Sequence, residues 1–183
     1  SASEMVTELI QYFGEAGKLR AVQAECLLAG IMLDTKNFVM KTGVRTFEAA
    51  AYLRKNGADT VKVKNFFTSS IDAYKKKSAL ISSAEIINKC AVATANSLSD
   101  DMRIIAPQAA DELLSIQDVD ASFVIYKIGN VTNISARSLG AMNVQVIMEK
   151  LGGGGHQTMA AVQLEDTSFE LAKQMLIEAI NSD

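Results

Sequence analysis

The chain has 183 residues, 49% hydrophobic and 21% charged, enough apolar material for one large or two small cored domains and too much for a disordered segment. A net charge of −3 and a pI near 5.3 exclude the broad basic surface that holds duplex nucleic acid by counterion release, so any phosphate recognition is local. Two cysteines, Cys26 and Cys90, give no disulfide framework and point to a reduced, cytoplasmic setting, and no apolar run reaches the ~18 residues of a membrane span.

In chain order, Ser1 in place of a methionine reads as a processed or truncated start. Val6, Leu9, Ile10 and Phe13 then recur at helical spacing behind Ser1 and Glu4, a capping-box pair. A second helix, about Ala21 to Leu33, is apolar nearly all round, the pattern of an enclosed element, and ends at Asp34. A third starts at Thr46 and stops at Asn56-Gly57. A fourth follows Ser69, with Asp72 as capping partner, and carries Lys75, Lys76 and Lys77, which read as a solvated face. Past about Leu80 the texture changes to short β-prone runs alternating with helical patterns, so a boundary is placed there, with 1–80 mainly helical and 81–183 α/β.

In the second part, Glu85 to Thr94 reads as a strand, and Pro107 as a helix start followed by Asp111 and Glu112 near the positive dipole end. Ser122 to Ile128 is a continuous apolar strand, turned at Gly129-Asn130 into a second, Thr132 to Arg137. There, alternation sets Asn133, Ser135 and Arg137 on one face and Ile134 and Ala136 on the other. Asn143 is placed to cap a short helix with Val144, Ile147, Met148 and Leu151 as its stripe, stopped by glycines. A strand, Ala160 to Glu165, and a final helix behind Thr167 and Glu170, with Ala172, Met175, Leu176, Ala179 and Ile180 as its buried stripe, complete the chain.

The chemistry concentrates at Gly152, Gly153, Gly154, Gly155 and His156. Glycine costs ~1 kcal/mol in regular structure relative to alanine, so a run of four belongs where backbone approaches something closely or takes positive φ. Exposed N–H groups there cradle phosphate oxygens. The run follows a helix and lacks a closing Lys-Ser or Lys-Thr pair, so it is neither a dinucleotide fingerprint nor a Walker loop. Two readings stand, a phosphate loop and a plain helix stop. His156, the single histidine, is either a phosphate donor or a solvated imidazole. Arg137 offers a fork suited to phosphate, with Ser135 and Asn133 on its face, or these form an ordinary polar strand face. Asp34 lies where the helix dipole disfavours a carboxylate, as a cation ligand or a solvated end. One histidine and one such aspartate do not suffice for a two-metal site.

These residues resemble the DHH family of phosphoesterases, in which a catalytic domain precedes a DHH-associated domain with a G-G-G-H-type substrate loop. The matches are I-S-A-R-S (Ile134 to Ser138), N-V (Asn143-Val144) and G-G-G-G-H (Gly152 to His156), with S-A-S-E (Ser1 to Glu4) and G-I-M-L-D-T (Gly30 to Thr35) upstream. Leu27 to Phe38 and Thr42 to Ala50 most resemble the family's membrane-anchored bacterial group that hydrolyses cyclic di-AMP to a linear dinucleotide, with pAp and short-oligonucleotide phosphatases as rivals.

The resemblance implies an α/β chain, a helical remnant of the DHH catalytic domain followed by a DHH-associated domain with a mixed sheet. It implies Asp34 as one ligand of a two-manganese centre, and Arg137, Ser135, Asn143, Gly152, Gly153, Gly154, Gly155 and His156 as substrate-binding residues. The early H-x-x-x-D-x-D segment and the D-H-H triplet of the family are absent. The chain alone is therefore expected to bind a cyclic dinucleotide or short oligonucleotide weakly without hydrolysing it. The implied parent is a cell-membrane protein with this region facing the cytoplasm, possessing sensor domains upstream and able to form a homodimer.

Overall fold

The computed structural model describes residues 1–13 and 18–182, and the chain divides into two compact units, Ser1–Ser69 and Ser70–Asp183. The first is helical: α1 (Ala2–Tyr12), α2 (Ala21–Asp34), α3 (Val44–Lys55) and α4 (Thr60–Asn65). The capping box at Ser1 and Glu4 forms as expected. The third helix starts two residues before Thr46, whose hydroxyl instead accepts from the Gly43 N–H at 3.1 Å. It stops at Asn56-Gly57, where Ala58 N–H donates to Leu53 O and Gly57 N–H to Arg54 O, the paired bonds of a Schellman stop. The short α4, absent from the periodicity, is capped by Asp59 on Val61 N–H.

Ala24, Leu28, Ile31, Ala49, Leu53, Ala58 and Val63 form this unit's core. The α1 stripe is exposed at Val6, Leu9 and Phe13, and of that helix only Thr7 is buried. One expectation fails: α2 is not surrounded, since Val22, Cys26 and Leu33 are exposed. Helical periodicity reports an apolar face; it does not say what covers that face.

The second unit begins with α5 (Ile71–Ser82), capped by Ser70 rather than Ser69, so the break falls before this helix and not at Leu80. It continues with β1 (Glu85–Ile87), β2 (Cys90–Leu98), α6 (Met102–Leu113), β3 (Ala121–Ile128), β4 (Val131–Ser138), α7 (Val144–Lys150), β5 (Gly154–His156), β6 (Met159–Glu165) and α8 (Phe169–Asn181). The strands form one mixed sheet in the order β1-β2-β3-β4-β6-β5, with β2 and β3 parallel across the α6 crossover and the other pairs antiparallel.

The single strand expected over Glu85 to Thr94 is a hairpin. Asn88 and Lys89 both take left-handed φ (48° and 62°), the geometry of a two-residue turn usually signalled by glycine. Pro107 lies inside α6, not at its start. Asp111 and Glu112 consequently sit in the last turn, against the dipole, and are held by cations: Arg137 Nε is 3.3 Å from Asp111 and Lys77 Nζ 2.7 Å from Glu112. Lys76 reaches Asp101 at 2.5 Å, so two of the three lysines tie α5 to α6 rather than lining a solvated face. The final helix is capped by Ser168 on Leu171 N–H, not by Thr167, whose carbonyl accepts from the Thr132 hydroxyl at 2.5 Å.

Alternation along the strands gives the sheet two buried sides. Cys90, Val92, Phe123, Ile125, Ile134, Ala136, Ala160 and Val162 pack on α7 and α8. Ala91, Ala93, Val124 and Tyr126 point the other way, onto α5 and α6.

Candidate functional site

On the α6 side the cover stops part-way across the sheet. β3 and β4 are roofed by α6, where the buried Ser122 hydroxyl donates to Ala110 O at 2.6 Å. On β6, Met159, Ala161 and Gln163 point to this same side and are exposed. The result is an open strip of β6 and β5 beside the helix, bordered by β4, whose Asn133 and Ser135 are buried and whose Arg137 is mostly covered.

Directly paired residues of antiparallel strands share a face, so the register fixes what lines the strip. One row is Arg137, Met159 and His156. The next is Ser135, Ala161 and Gly154, and the third is Asn133 and Gln163. Arg137, Ser135, Gly154 and His156, separated by up to 21 positions in sequence, therefore occupy one surface. Arg137 and His156 are two strands apart, about 10 Å at the backbone, a span long side chains close around a small anion.

Arg137 is poised by its surroundings. Its side chain is only 12% exposed, Nη1 donates to Ala136 O at 2.9 Å, and Nε lies buried beside Asp111 Oδ1 without hydrogen-bond geometry. Asp111 anchors the guanidinium from the helix. The imidazole of His156 is exposed on the edge strand and makes no hydrogen bond to the described residues.

The glycine run separates into parts. Gly152 (φ +84°) ends α7 in a second Schellman stop, with Gly153 N–H on Met148 O at 2.8 Å and Gly152 N–H on Glu149 O at 3.0 Å. A Cβ on Gly153 would sit 2.3 Å from Ala161 O, and one on Gly155 (φ +152°) 2.4 Å from Met159 O, so both are needed to lay β5 against β6. Gly154 has no such demand: a Cβ there meets nothing within 4 Å and its φ is not left-handed. What reads in sequence as one loop is a helix stop followed by an edge strand, and the glycine left over faces the open strip beside Ala161, which separates it from Ser135.

Asn143 caps α7 through Oδ1 on Gln145 N–H at 3.1 Å. Val144 N–H donates to Gln157 O and Ser138 N–H to Thr158 O, which brings this cap to the β5–β6 turn at the Arg137 end of the strip. Asp34 belongs to the other unit. It is exposed at the end of α2, followed by three residues in left-handed conformation, Lys36, Asn37 and Phe38. Thr35 holds that turn, donating to Ile31 O at 2.7 Å and accepting from Phe38 N–H at 3.0 Å. Among the described residues no three His, Cys, Asp or Glu side chains group so as to hold a metal ion. Met159 and Gln163 are not singled out by sequence reasoning, and carrying the alternation of β4 across to β6 would have found them; Asp111 is read there only as a carboxylate at a helix start, not as a partner of Arg137.

Residues 88–182 match the DHHA1 domain model. That is more than half of the chain, which therefore belongs to the DHHA1 domain family. Among known proteins it is similar to the cyclic-di-AMP phosphodiesterase PdeA of Listeria monocytogenes, 47% identical over all of this chain and 28% of that protein. It is also similar to the cyclic-di-AMP phosphodiesterase GdpP of Geobacillus thermodenitrificans, 50% identical over 99% of this chain and 28% of that one. The chain thus spans about 28% of the length of these relatives. An exopolyphosphatase-related protein from Bacteroides fragilis has the same fold, with a TM-score of 0.87 and 21% identity over 100% of this chain and 56% of its own.

Proposed function

We propose that this chain is the substrate-holding end of a phosphodiesterase whose complete parent hydrolyses cyclic di-AMP to a linear dinucleotide. The observation that carries the proposal is the open strip, where Arg137, Ser135, Gly154 and His156 share one face. The names and identities of the relatives support the substrate class. In this reading Arg137, set by Asp111, and His156 hold a phosphodiester. Ser135 and the backbone of Gly154 let the ligand lie close to the sheet, and Gly152, Gly153 and Gly155 shape the edge that permits it. Asn143, which caps α7 at the same end, offers its Nδ2 as a further donor to the ligand. The helical unit Ser1–Ser69 is the back of the catalytic domain and the unit Ser70–Asp183 the substrate-binding domain.

Hydrolysis in the parent is assigned to a divalent metal pair, manganese in the family the chain resembles, with Asp34 as this chain's contribution. The residues present do not make that centre, because Asp34 has no partner set of His, Cys, Asp or Glu among the described residues. The isolated chain is therefore assigned binding without turnover. The parent is placed at the cell membrane with this region cytoplasmic; no described helix here is long and apolar enough to span.

Calorimetry of the chain with cyclic di-AMP tests the proposal. Binding weakened tenfold or more by Arg137→Ala and less by His156→Ala is expected, as for loss of charge-assisted contacts. Absence of binding, or equal binding by both variants and the unaltered chain, sinks it, and robust manganese-supported hydrolysis by the isolated chain would refute the division of labour.

A further inference from the structure

On the reading of the strip as a nucleotide site, we infer that Gln163, held in place by Asn133, reads the base edge of the nucleotide whose phosphate is held by Arg137 and His156, and that it selects adenine over 6-oxopurines. The argument begins with spacing. Asn133 lies four residues before Arg137 on the same face of β4, about 13 Å along the strand. The two ends of the strip therefore address different parts of one ligand. The row between them carries only small groups, the buried Ser135 and the accessible Ala161 and Gly154, so a ribose or a flat ring can lie over Ala161 and Gly154.

Charge gives the direction. Arg137 stands at one end, and Glu165, two residues beyond Gln163 on the same face of β6, at the other. A phosphate belongs at the cationic end, which puts the neutral base over the amides.

The amides are organised. Asn133 is 7% exposed; its Nδ2 donates to Val131 O at 3.0 Å and its Oδ1 accepts from Gln163 Nε2 at 3.3 Å. Gln163 is exposed, and with one N–H given to Asn133 it keeps a carbonyl oxygen and a second N–H for a ligand. An amide's acceptor and donor match the adjacent donor and acceptor of adenine, N6–H2 and N7. A 6-oxopurine presents two acceptors there, and its O6 would face the glutamine carbonyl. Asn133 acts through Gln163, as a positioning residue.

The test uses the parent protein and compares kcat/KM for cyclic di-AMP and cyclic di-GMP in the unaltered enzyme, Gln163→Leu and Arg137→Ala. Gln163 is exposed, so the leucine variant keeps the fold, and a thermal melt checks this. Gln163→Leu is expected to cut the preference for the adenine substrate about tenfold, through KM with kcat held, whereas Arg137→Ala weakens both substrates alike. An unchanged preference in Gln163→Leu, with Arg137→Ala impaired, overturns the base-reading role and leaves the phosphate site standing. Failure of the unaltered parent to act on either substrate, or full activity of Arg137→Ala, overturns both.

Discussion

In the second unit a six-stranded sheet carries a core on each face, built around side chains as large as Phe123, Ile125 and Ile134. In the first, four helices enclose one small core and leave Met5, Leu9, Tyr12, Phe13, Val44 and Phe47 in water. Met5, Leu9 and Tyr12 line one hollow, and apolar surface gathered in this way marks a face made to be covered. On the proposed reading it is the side that meets the rest of the catalytic domain in the parent, whereas the second unit contains its own interior and can present a finished binding face.

The largest expected effects come from the two cores. Phe123→Ala removes a fully buried ring between sheet and helices and should cost about 3–5 kcal/mol; Leu53→Ala should cost about 2–5 kcal/mol in the helical unit. Native-state hydrogen exchange separates them: β3 and β4 amides lose protection in the first variant, α2 and α3 amides in the second. Loss of protection in both units from either substitution would break the comparison, because it would make the chain one cooperative body.

Next are the glycines. Gly155→Ala forces a Cβ against the β6 backbone at a φ that only glycine adopts readily, and should destabilise the second unit by about 2–4 kcal/mol in urea denaturation. Gly154→Ala should change stability by less than about 1 kcal/mol, yet weaken cyclic di-AMP binding by crowding the strip beside Ala161. If Gly154→Ala binds ligand as well as the unaltered chain, Gly154 has no part in the site.

Much of the second unit is legible in sequence because its strands alternate cleanly: Asn133, Ser135 and Arg137 separate from Ile134 and Ala136 by period alone. Asn88-Lys89 carries no glycine to mark its turn, so one strand was read where a hairpin forms. Pro107 misled because Asp101 opens the helix a turn and a half earlier, behind Ser99 and Asp100. The glycine run conceals three jobs under one residue type, and only cross-strand neighbours distinguish Gly154 from Gly153 and Gly155. In the first unit, amphipathic patterns correctly locate helices, but their covering partners are not encoded in the same segment.

A smaller effect sharpens the site. Asn143→Ala should cost about 1 kcal/mol by uncapping α7, and Asn143→Ser should recover most of it, since a hydroxyl also accepts from Gln145 N–H. If Nδ2 serves the ligand, calorimetry finds binding weakened in both variants. Full binding in the serine variant would reduce Asn143 to a cap.

The two cysteines probe the same contrast with the least perturbation. Cys26 is exposed on α2 of the open helical unit, whereas Cys90 is fully buried under the sheet, its Sγ 3.5 Å from Met142 Sδ. Burial pushes the Cys90 thiol up from 9.0 to about 11, with the Asp120 carboxylate adding to the shift. A raised folded value leaves the stability contribution intact below about pH 9, where both states keep the proton. Between pH 9 and 11 the unfolded thiol ionises and the folded one does not, so stability falls through that window. Cys90→Ala should therefore flatten the loss of stability across this range, measured by urea denaturation at each pH. At pH 8, iodoacetamide should label the native chain once, at Cys26, and reach Cys90 only on unfolding, because the thiolate is the nucleophile. Rapid double labelling of the native chain would mean that the second unit opens as readily as the first, and the contrast between a finished and an unfinished core would not survive it.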